Sequence, residues 1–226
     1  MNDLLINPVY NALLTGDAHL ASGEGKVRYY HHEVSPYAGF EQQYEHGFRD
    51  LHAQLPPGRR ILHATPLPLI SPQGWRIAAS VQGVQFVLPT STKVDPPSME
   101  PVALNEEHIP EMLALATLTR PGPFDLRTIE FGHYYGFIRD AKLVAMTGQR
   151  LHVGEHTEIS AVCTHPNYAG QGLAAALMLH QMRLIREQGK IPFLHVRRDN
   201  DRAVGLYRGL GFEETRGMNF YFMVRT

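Results

Sequence analysis

Residues 157–188 read TEISAVCTHPNYAGQGLAAALMLHQMRLIREQ, and three kinds of local structure follow one another within them. Ile159, Ala161 and Cys163 alternate with Glu158, Ser160, Val162 and Thr164. Residues two apart on a pleat share a face, so the opening predicts a strand with those three on one side. His165-Pro166-Asn167 ends it, because proline has no N–H for a ladder and asparagine favours turns. After Gly170-Gln171-Gly172, an unbroken helix-forming run carries apolar side chains at 173, 176, 177 and 184 and again at 174, 178, 182 and 185. A stripe that wide predicts a helix packed on a sheet.

Strand, glycine-bearing turn and helix together suit a phosphate. The first turn of a helix leaves N–H groups without partners and carries the positive end of the helix dipole. Side chains would obstruct an approaching anion, and Gly170 and Gly172 have none. A G-x-G before a helix serves a tight turn equally well, so these residues alone leave both readings open. The dinucleotide pattern G-x-G-x-x-G is completed only if Ala175 stands for its third glycine, and no acidic residue ends a second strand about 20 residues on. The absence of G-K-[ST] excludes a nucleoside-triphosphate loop.

Two separated blocks then carry a resemblance. The first is V-C-T-H-P-N-Y-A-G-Q-G-L-A, residues 162–174. The second is N-x-x-A-x-x-L-Y-x-x-L-G-F, met at Asn200, Ala203, Leu206, Tyr207, Leu210, Gly211 and Phe212. In this order and separation they resemble the acyl-CoA-binding half of the GNAT superfamily of N-acetyltransferases. The resemblance covers about residues 98–226 and does not clearly reach the first 97.

Several expectations follow from the resemblance. Acetyl-CoA would be the cosubstrate, its pyrophosphate wrapped by Ala169, Gly170, Gln171, Gly172, Leu173 and Ala174. The family has Gln or Arg at the first of these positions, so Ala169 is a departure that removes a polar side chain and leaves the backbone donors. The coenzyme's pantetheine arm would lie against the backbone of Val162, Cys163 and Thr164, with Asn200 close by, and an N–H near Val162 would face the acyl oxygen. Tyr207 would protonate the departing thiolate. Glu158 would be the base that takes the amine proton, or else a surface charge at the strand edge, with Glu130 a second candidate. The fold implied is α/β (α+β): a mixed, mostly antiparallel sheet with helices on both faces.

Composition narrows the rest. With 43% apolar residues in 226, one or two domains with sizeable cores are expected. The 21 basic and 22 acidic residues make no electrostatic case for nucleic acid or an anionic membrane. No apolar run approaches the roughly 18 residues of a membrane span. The opening MNDLLINPVYN has neither the basic nor the long apolar stretch of a secretory signal. The single cysteine, Cys163, cannot form an internal disulfide, which agrees with a reducing cytoplasm. On a central strand it is expected to act as a small buried hydrophobe rather than a nucleophile. The 13 histidines include no H-E-x-x-H, and no metal is expected.

Residues 1–97 read as a smaller α+β domain of their own. It holds a short helix at 8–14, a hairpin at 19–30 around Gly23-Glu24-Gly25, and a helix over 40–55 with Phe40, Tyr44, Phe48, Leu51 and Leu55 on one face. Strands follow at 60–64 and 75–88, the latter folded over Gln82-Gly83, and adjacent His31 and His32 would lie on opposite faces of a strand. The order echoes the front of a GNAT fold, so a degenerate, coenzyme-free half is the hypothesis for this region. Residues 89–101, rich in proline, read as a linker.

In 98–226, the GNAT domain, a strand at 101–104 precedes a helix bearing Ile109, Met112, Leu113 and Ala116 on one face, with Pro110 in its first turn. A helical piece at 124–134, strands at 137–139 and 142–151, the stretch already quoted, a strand at 192–196, a helix capped by Asn200 and a strand at 219–224 complete the chain. The function expected is acetyl transfer to a primary amine of a small molecule, amino acid or peptide. A protein N-terminal or lysine acetyltransferase and a non-catalytic acyl-CoA-binding module are the alternatives, and homodimerisation is left open.

Overall fold

The structure, a computed structural model, describes residues 3–226. Its first part runs α1 Pro8–Leu14, β1 Ala21–Ser22, β2 Val27–Tyr30, β3 Ala38–Phe40, α2 Gly47–Gln54, β4 Arg60–Thr65 and β5 Trp75–Val87. The second runs β6 Val102–Ala103, α3 Ile109–Thr119, β7 Tyr135–Arg139, β8 Lys142–Val153, β9 His156–Thr164, α4 Leu173–Glu187, β10 Ile191–Arg197, α5 Asp201–Gly209 and β11 Glu213–Arg225. Strands β1–β3 form a small antiparallel sheet, and the other eight form one sheet in the order β4-β11-β5-β10-β9-β8-β7-β6. All neighbours in the large sheet are antiparallel except β9 and β10, the mixed, mostly antiparallel arrangement expected.

Alternate residues of the strands feed two cores. Phe193 of β10 joins Leu13 of α1 and Met112 and Leu115 of α3, whereas Leu194 and Val196 join Met178, Met182 and Ile185 of α4 and Tyr207 of α5. That alternation puts helices on both faces of the sheet. The helix ends follow local chemistry. Asn105 caps the turn leading into α3, and Pro110 occupies that helix's first turn. Gly189 adopts φ 71° after α4, where its N–H donates to the Arg186 carbonyl and that of Lys190 to the Ile185 carbonyl. No helix among the described residues is long and apolar enough to cross a membrane.

The boundary expected at residue 97 does not divide the sheet. Strand β5 pairs with β11 from Trp75 to Val87 and with β10 from Gly83 to Val87, so residues before the linker complete the sheet that residues after it begin. Farther back, the buried Asp17 accepts a hydrogen bond from the Tyr30 hydroxyl (2.7 Å) and holds His152 Nδ1 of β8 at 2.6 Å. Strands β4 and β5 are therefore members of the sheet that carries the quoted stretch, and Asp17 ties the segment before them to it.

Several local expectations are corrected. Strand β5 runs unbroken through Gln82-Gly83, and Gly83 is needed for packing, since a Cβ there would meet the Phe220 ring at 2.6 Å. The helix expected over 40–55 is only Gly47–Gln54; Phe40 lies on β3, its ring 4.9 Å from that of Phe48. Side chains spaced like a helix face thus meet across a strand and a helix instead. The piece at 124–134 is reduced to a 3-10 turn at Thr128–Phe131, and β11 begins at Glu213 rather than 219. On α3 the buried residues are Met112, Leu115 and Ala116. His31 and His32 lie beyond β2 with their rings 4.4 Å apart.

Candidate active site

Strands β9 and β10 start as a parallel pair and then part. Their register holds only at His156 with Ile191, Thr157 with Pro192 and Glu158 with Phe193. Beyond that, β10 stays on β5, and residues 159–164 have no strand on that side. Main-chain N–H and C=O groups left at such an opening need partners from elsewhere.

On its other side β9 bulges. Cys163 faces Met146 and Ser160 faces Gly148, so Ala161 and Val162 together oppose Thr147, and Ala161 takes φ 54°. The extra residue reverses the alternation. Ile159 packs with Met178 and Met182, and Val162 lies against the same group, whereas Ala161 and Cys163 pack with Met112 and Met146. The expected shared face of Ile159, Ala161 and Cys163 is thus corrected: the first points to one core and the other two to the opposite one.

At the end of β9 the chain passes through a short turn into α4. Gly170 and Gly172 adopt φ 82° and 78°, with open space where their side chains would be. No side chain caps α4, and among the described residues the amides of 170–175 have no protein acceptor. Unpartnered N–H groups, the helix dipole and missing Cβ atoms make this a cradle for an anion.

The cradle opens into a cleft of about 330 Å³. Val162, Cys163, Thr164, Ala169, Gly170, Gly172, Leu173, Ala174, Asn200 and Tyr207 all line it. Gln171 is exposed and is not among the lining residues. Asn200 Oδ1 caps α5 by accepting from the Ala203 N–H at 3.2 Å. A second cavity, of about 380 Å³, adjoins the cleft and shares Val162, Cys163, Thr164, Asn200 and Tyr207 with it. Tyr207 thus stands where the two meet. Burial pushes its phenol up to about 12, and its hydroxyl has no protein partner among the described residues. Burial likewise pushes the Cys163 thiol up to about 11, which leaves little thiolate at neutral pH. No cluster of His, Cys, Asp and Glu able to hold a metal ion occurs among the described residues.

Glu158 requires a correction. It is fully buried, and both carboxylate oxygens are taken: Arg150 Nε and Nη2 donate at 2.8 and 3.0 Å, and His195 Nδ1 donates at 2.7 Å. Burial acts to raise its pKa, but Arg150 and His195 outweigh burial and hold it down at about 2. A carboxylate that acidic, with its lone pairs committed, is unsuited to accept a proton from an amine. His195 is no substitute, because its Nε2 accepts from Gln85 Nε2 at 3.0 Å. Gln85 is oriented by donating to the Leu5 carbonyl and accepting from the Thr215 hydroxyl, so both ring nitrogens of His195 are committed. Glu130 pairs with Arg127 at 2.6 Å and lines neither cavity.

Arg150, His195 and Arg120, which all line the second cavity, are what sequence reasoning missed. Arg150 offered a signal, as the lone cation within the mostly buried run of β8. The other two offered none.

Comparison with known proteins agrees with this geometry. Residues 134–221 match the FR47-like protein family. Over 67 residues the chain is 33% identical to N-alpha-acetyltransferase RimI of Mycobacterium tuberculosis, a match that spans 30% of this chain and 41% of RimI. A crystal structure of a GNAT-family protein from Novosphingobium aromaticivorans superposes over 100% of both chains, with a TM-score of 0.89 and 31% identity. A GCN5-related N-acetyltransferase from Kribbella flavida shares the fold at a TM-score of 0.64 over 96% of this chain and 95% of its own, with 17% identity. Full-length likeness to the Novosphingobium protein at 31% identity, added to an opened strand pair and a bare helix mouth, makes this chain a member of the GNAT family of acyl-CoA-dependent N-acetyltransferases.

Proposed function

We propose that this chain moves an acetyl group from acetyl-CoA to a primary amine by direct attack within a ternary complex. The observation that carries the reading is the unpaired edge of β9 at 159–164, continuous with the free amides of 170–175. The amides suit the diphosphate and the strand edge suits the amide groups of the pantetheine arm. Acetyl-CoA supplies an activated thioester, whose carbon–sulfur bond is exchanged for a carbon–nitrogen bond as the electron pair leaves on sulfur. Tyr207 donates its proton to that sulfur and recovers one from solvent. An N–H at the Ala161–Val162 bulge stabilises the acyl oxygen as charge develops on it.

No carboxylate lines either cavity, and both histidine and glutamate of the buried network are engaged. The acceptor therefore binds as the neutral amine, and its proton is lost to solvent. The acid limb of kcat/KM is expected to follow the pKa of each amine used. A single limb shared by amines of different basicity would show an enzyme base and overturn this part.

Two observations weigh against the alternatives. A protein or lysine acceptor calls for an open, acidic groove, whereas the cavity beyond Tyr207 has arginines and no acid. A passive acyl-CoA binder has no use for a free phenol at the junction of two cavities, and the Ala169 departure leaves the backbone donors in place. The one buried thiol agrees with a reducing, cytoplasmic setting.

The test is calorimetry with acetyl-CoA followed by thiol release against a panel of amines, amino acids and peptides. No heat of binding would end the proposal. Gly172→Val probes the cradle directly. With φ 78° and open surroundings, the substitution is expected to cost about 1–2 kcal/mol of stability and to weaken acetyl-CoA at least about 10-fold, because a side chain then stands where phosphate approaches. Unchanged affinity would exclude the loop from the binding site.

A further inference from the structure

The second cavity continues away from Tyr207 into a third, of about 210 Å³, and the two share Arg120, Pro121, Arg150, His195, Val196 and Arg197. Neither is lined by aspartate or glutamate. Three donors there lack acceptors among the described residues. Arg150 spends Nε and Nη2 on Glu158 and retains Nη1, while its guanidinium lies 5.0 Å over the Tyr37 ring. The hydroxyl of Tyr37, whose pKa burial raises to about 12, has no protein partner, and neither does the guanidinium of Arg120. Arg197, by contrast, is committed to Asp199 through two hydrogen bonds.

Arg120 is also held in an unusual way. It ends α3 at φ 52°, in the left-handed position where helices ordinarily place glycine, and Pro121-Gly122-Pro123 stiffens the chain behind it. A bulky cation kept at a strained position beside a cavity is the kind of feature found at ligand sites.

The charges add up to a preference. Glu158 balances Arg150, His195 spends both nitrogens on Glu158 and Gln85, and Asp199 balances Arg197, which leaves Arg120 as the uncompensated arginine of the third cavity. The remaining wall is apolar: Leu62, Val81, Phe220 and Phe222. An amino acid whose amine is deprotonated for attack carries one negative charge and, if its side chain is apolar, one hydrophobic body.

Resting on the acetyltransferase reading above, we propose that the acceptor is a free amino acid with an apolar side chain, its carboxylate held by Arg120, Arg150 Nη1 and the Tyr37 hydroxyl. The amine then faces Tyr207 and the β9 bulge, and the side chain fills the pocket between Leu62, Val81, Phe220 and Phe222. Paired donors on planar guanidinium groups are matched to carboxylate geometry, which a carboxamide or a bare amine cannot reproduce.

The test uses L-leucine and L-phenylalanine, each beside its carboxamide and its decarboxylated amine, isoamylamine or 2-phenylethylamine. Two readouts are taken: kcat/KM with acetyl-CoA, and the heat of binding of each compound to the enzyme saturated with CoA. The acids are expected to exceed their amides and amines by about 10-fold or more in both. Arg120→Gln is expected to lower kcat/KM for the acids about 10- to 100-fold through KM, while leaving that for the amides and the Kd for acetyl-CoA unchanged. Amides or amines equal to the acids overturn the proposal, as does an Arg120→Gln loss that falls alike on acids and amides. If acetyl-CoA binds but no member of the panel binds or is acetylated, this proposal alone fails; if acetyl-CoA itself does not bind, the acetyltransferase reading fails with it.

Discussion

Replacing Glu158 with glutamine is expected to destabilise the protein by about 3–5 kcal/mol, because it leaves the Arg150 charge buried without a counter-ion. For a chain of this size such a loss corresponds to a fall in Tm of roughly 6–20 °C. The geometry behind the figure is a carboxylate with no solvent exposure and hydrogen bonds from both Arg150 and His195. A catalytic base behaves differently: its amide replacement folds normally and fails only in turnover. Thermal and urea melts of Glu158→Gln separate the two, and a variant within about 1 kcal/mol of the parent would show that the carboxylate is not structural.

The same pair sets an acid response. Glu158 titrates near 2 in the folded chain, against an ordinary value of 4.5. A carboxylate whose folded pKa is depressed contributes stability that is complete above the unfolded value and is lost as pH falls toward the folded one. The window is therefore pH 4.5 down to about 2, and the difference corresponds to about 3 kcal/mol. The slope of stability against pH in that window is expected to flatten in Glu158→Gln. An unchanged slope would assign the acid response to other groups.

Tyr207→Phe is expected to lower kcat about 100-fold and to leave the Kd for acetyl-CoA within about twofold. The change removes a hydroxyl that has no protein partner among the described residues, so the fold loses nothing but packing of a few atoms. The phenol's pKa of about 12 decides the size of the effect. It guarantees a protonated donor at neutral pH, yet it makes a weaker acid than a group tuned near 7, so the lower end of the usual range for general acids applies. Stopped-flow detection of released thiol, with calorimetry for the Kd, measures both quantities. Parent-like turnover in Tyr207→Phe would remove the residue from the chemistry.

What sequence reading could reach divides along a physical line. The strand–turn–helix at the cleft was legible because each part is set by neighbours in the chain. Pro166 stops a strand, Gly170 and Gly172 take left-handed φ, and Asn200 caps its helix through an N–H three residues away. The motif residues converge on one cleft for the same reason, since β9, α4 and α5 carry them at fixed short separations. Helix spacing misled at Phe40 because a strand and a helix meeting in space can imitate one helical face.

The amino-acid sequence by itself thus determined the GNAT character of the second half, the glycine-bearing turn before the long helix and the helix that brings Tyr207 to the same cleft. Only the tertiary structure decided that β5 completes the sheet, that a bulge at Ala161 divides the strand between two cores, and that Glu158 is a buried counter-ion rather than a base. Arg150 lies 8 residues from Glu158 and His195 lies 37 residues from it. Those partners meet through strand register and sheet order, which depend on the packing of the whole chain and leave no periodic trace in any local stretch.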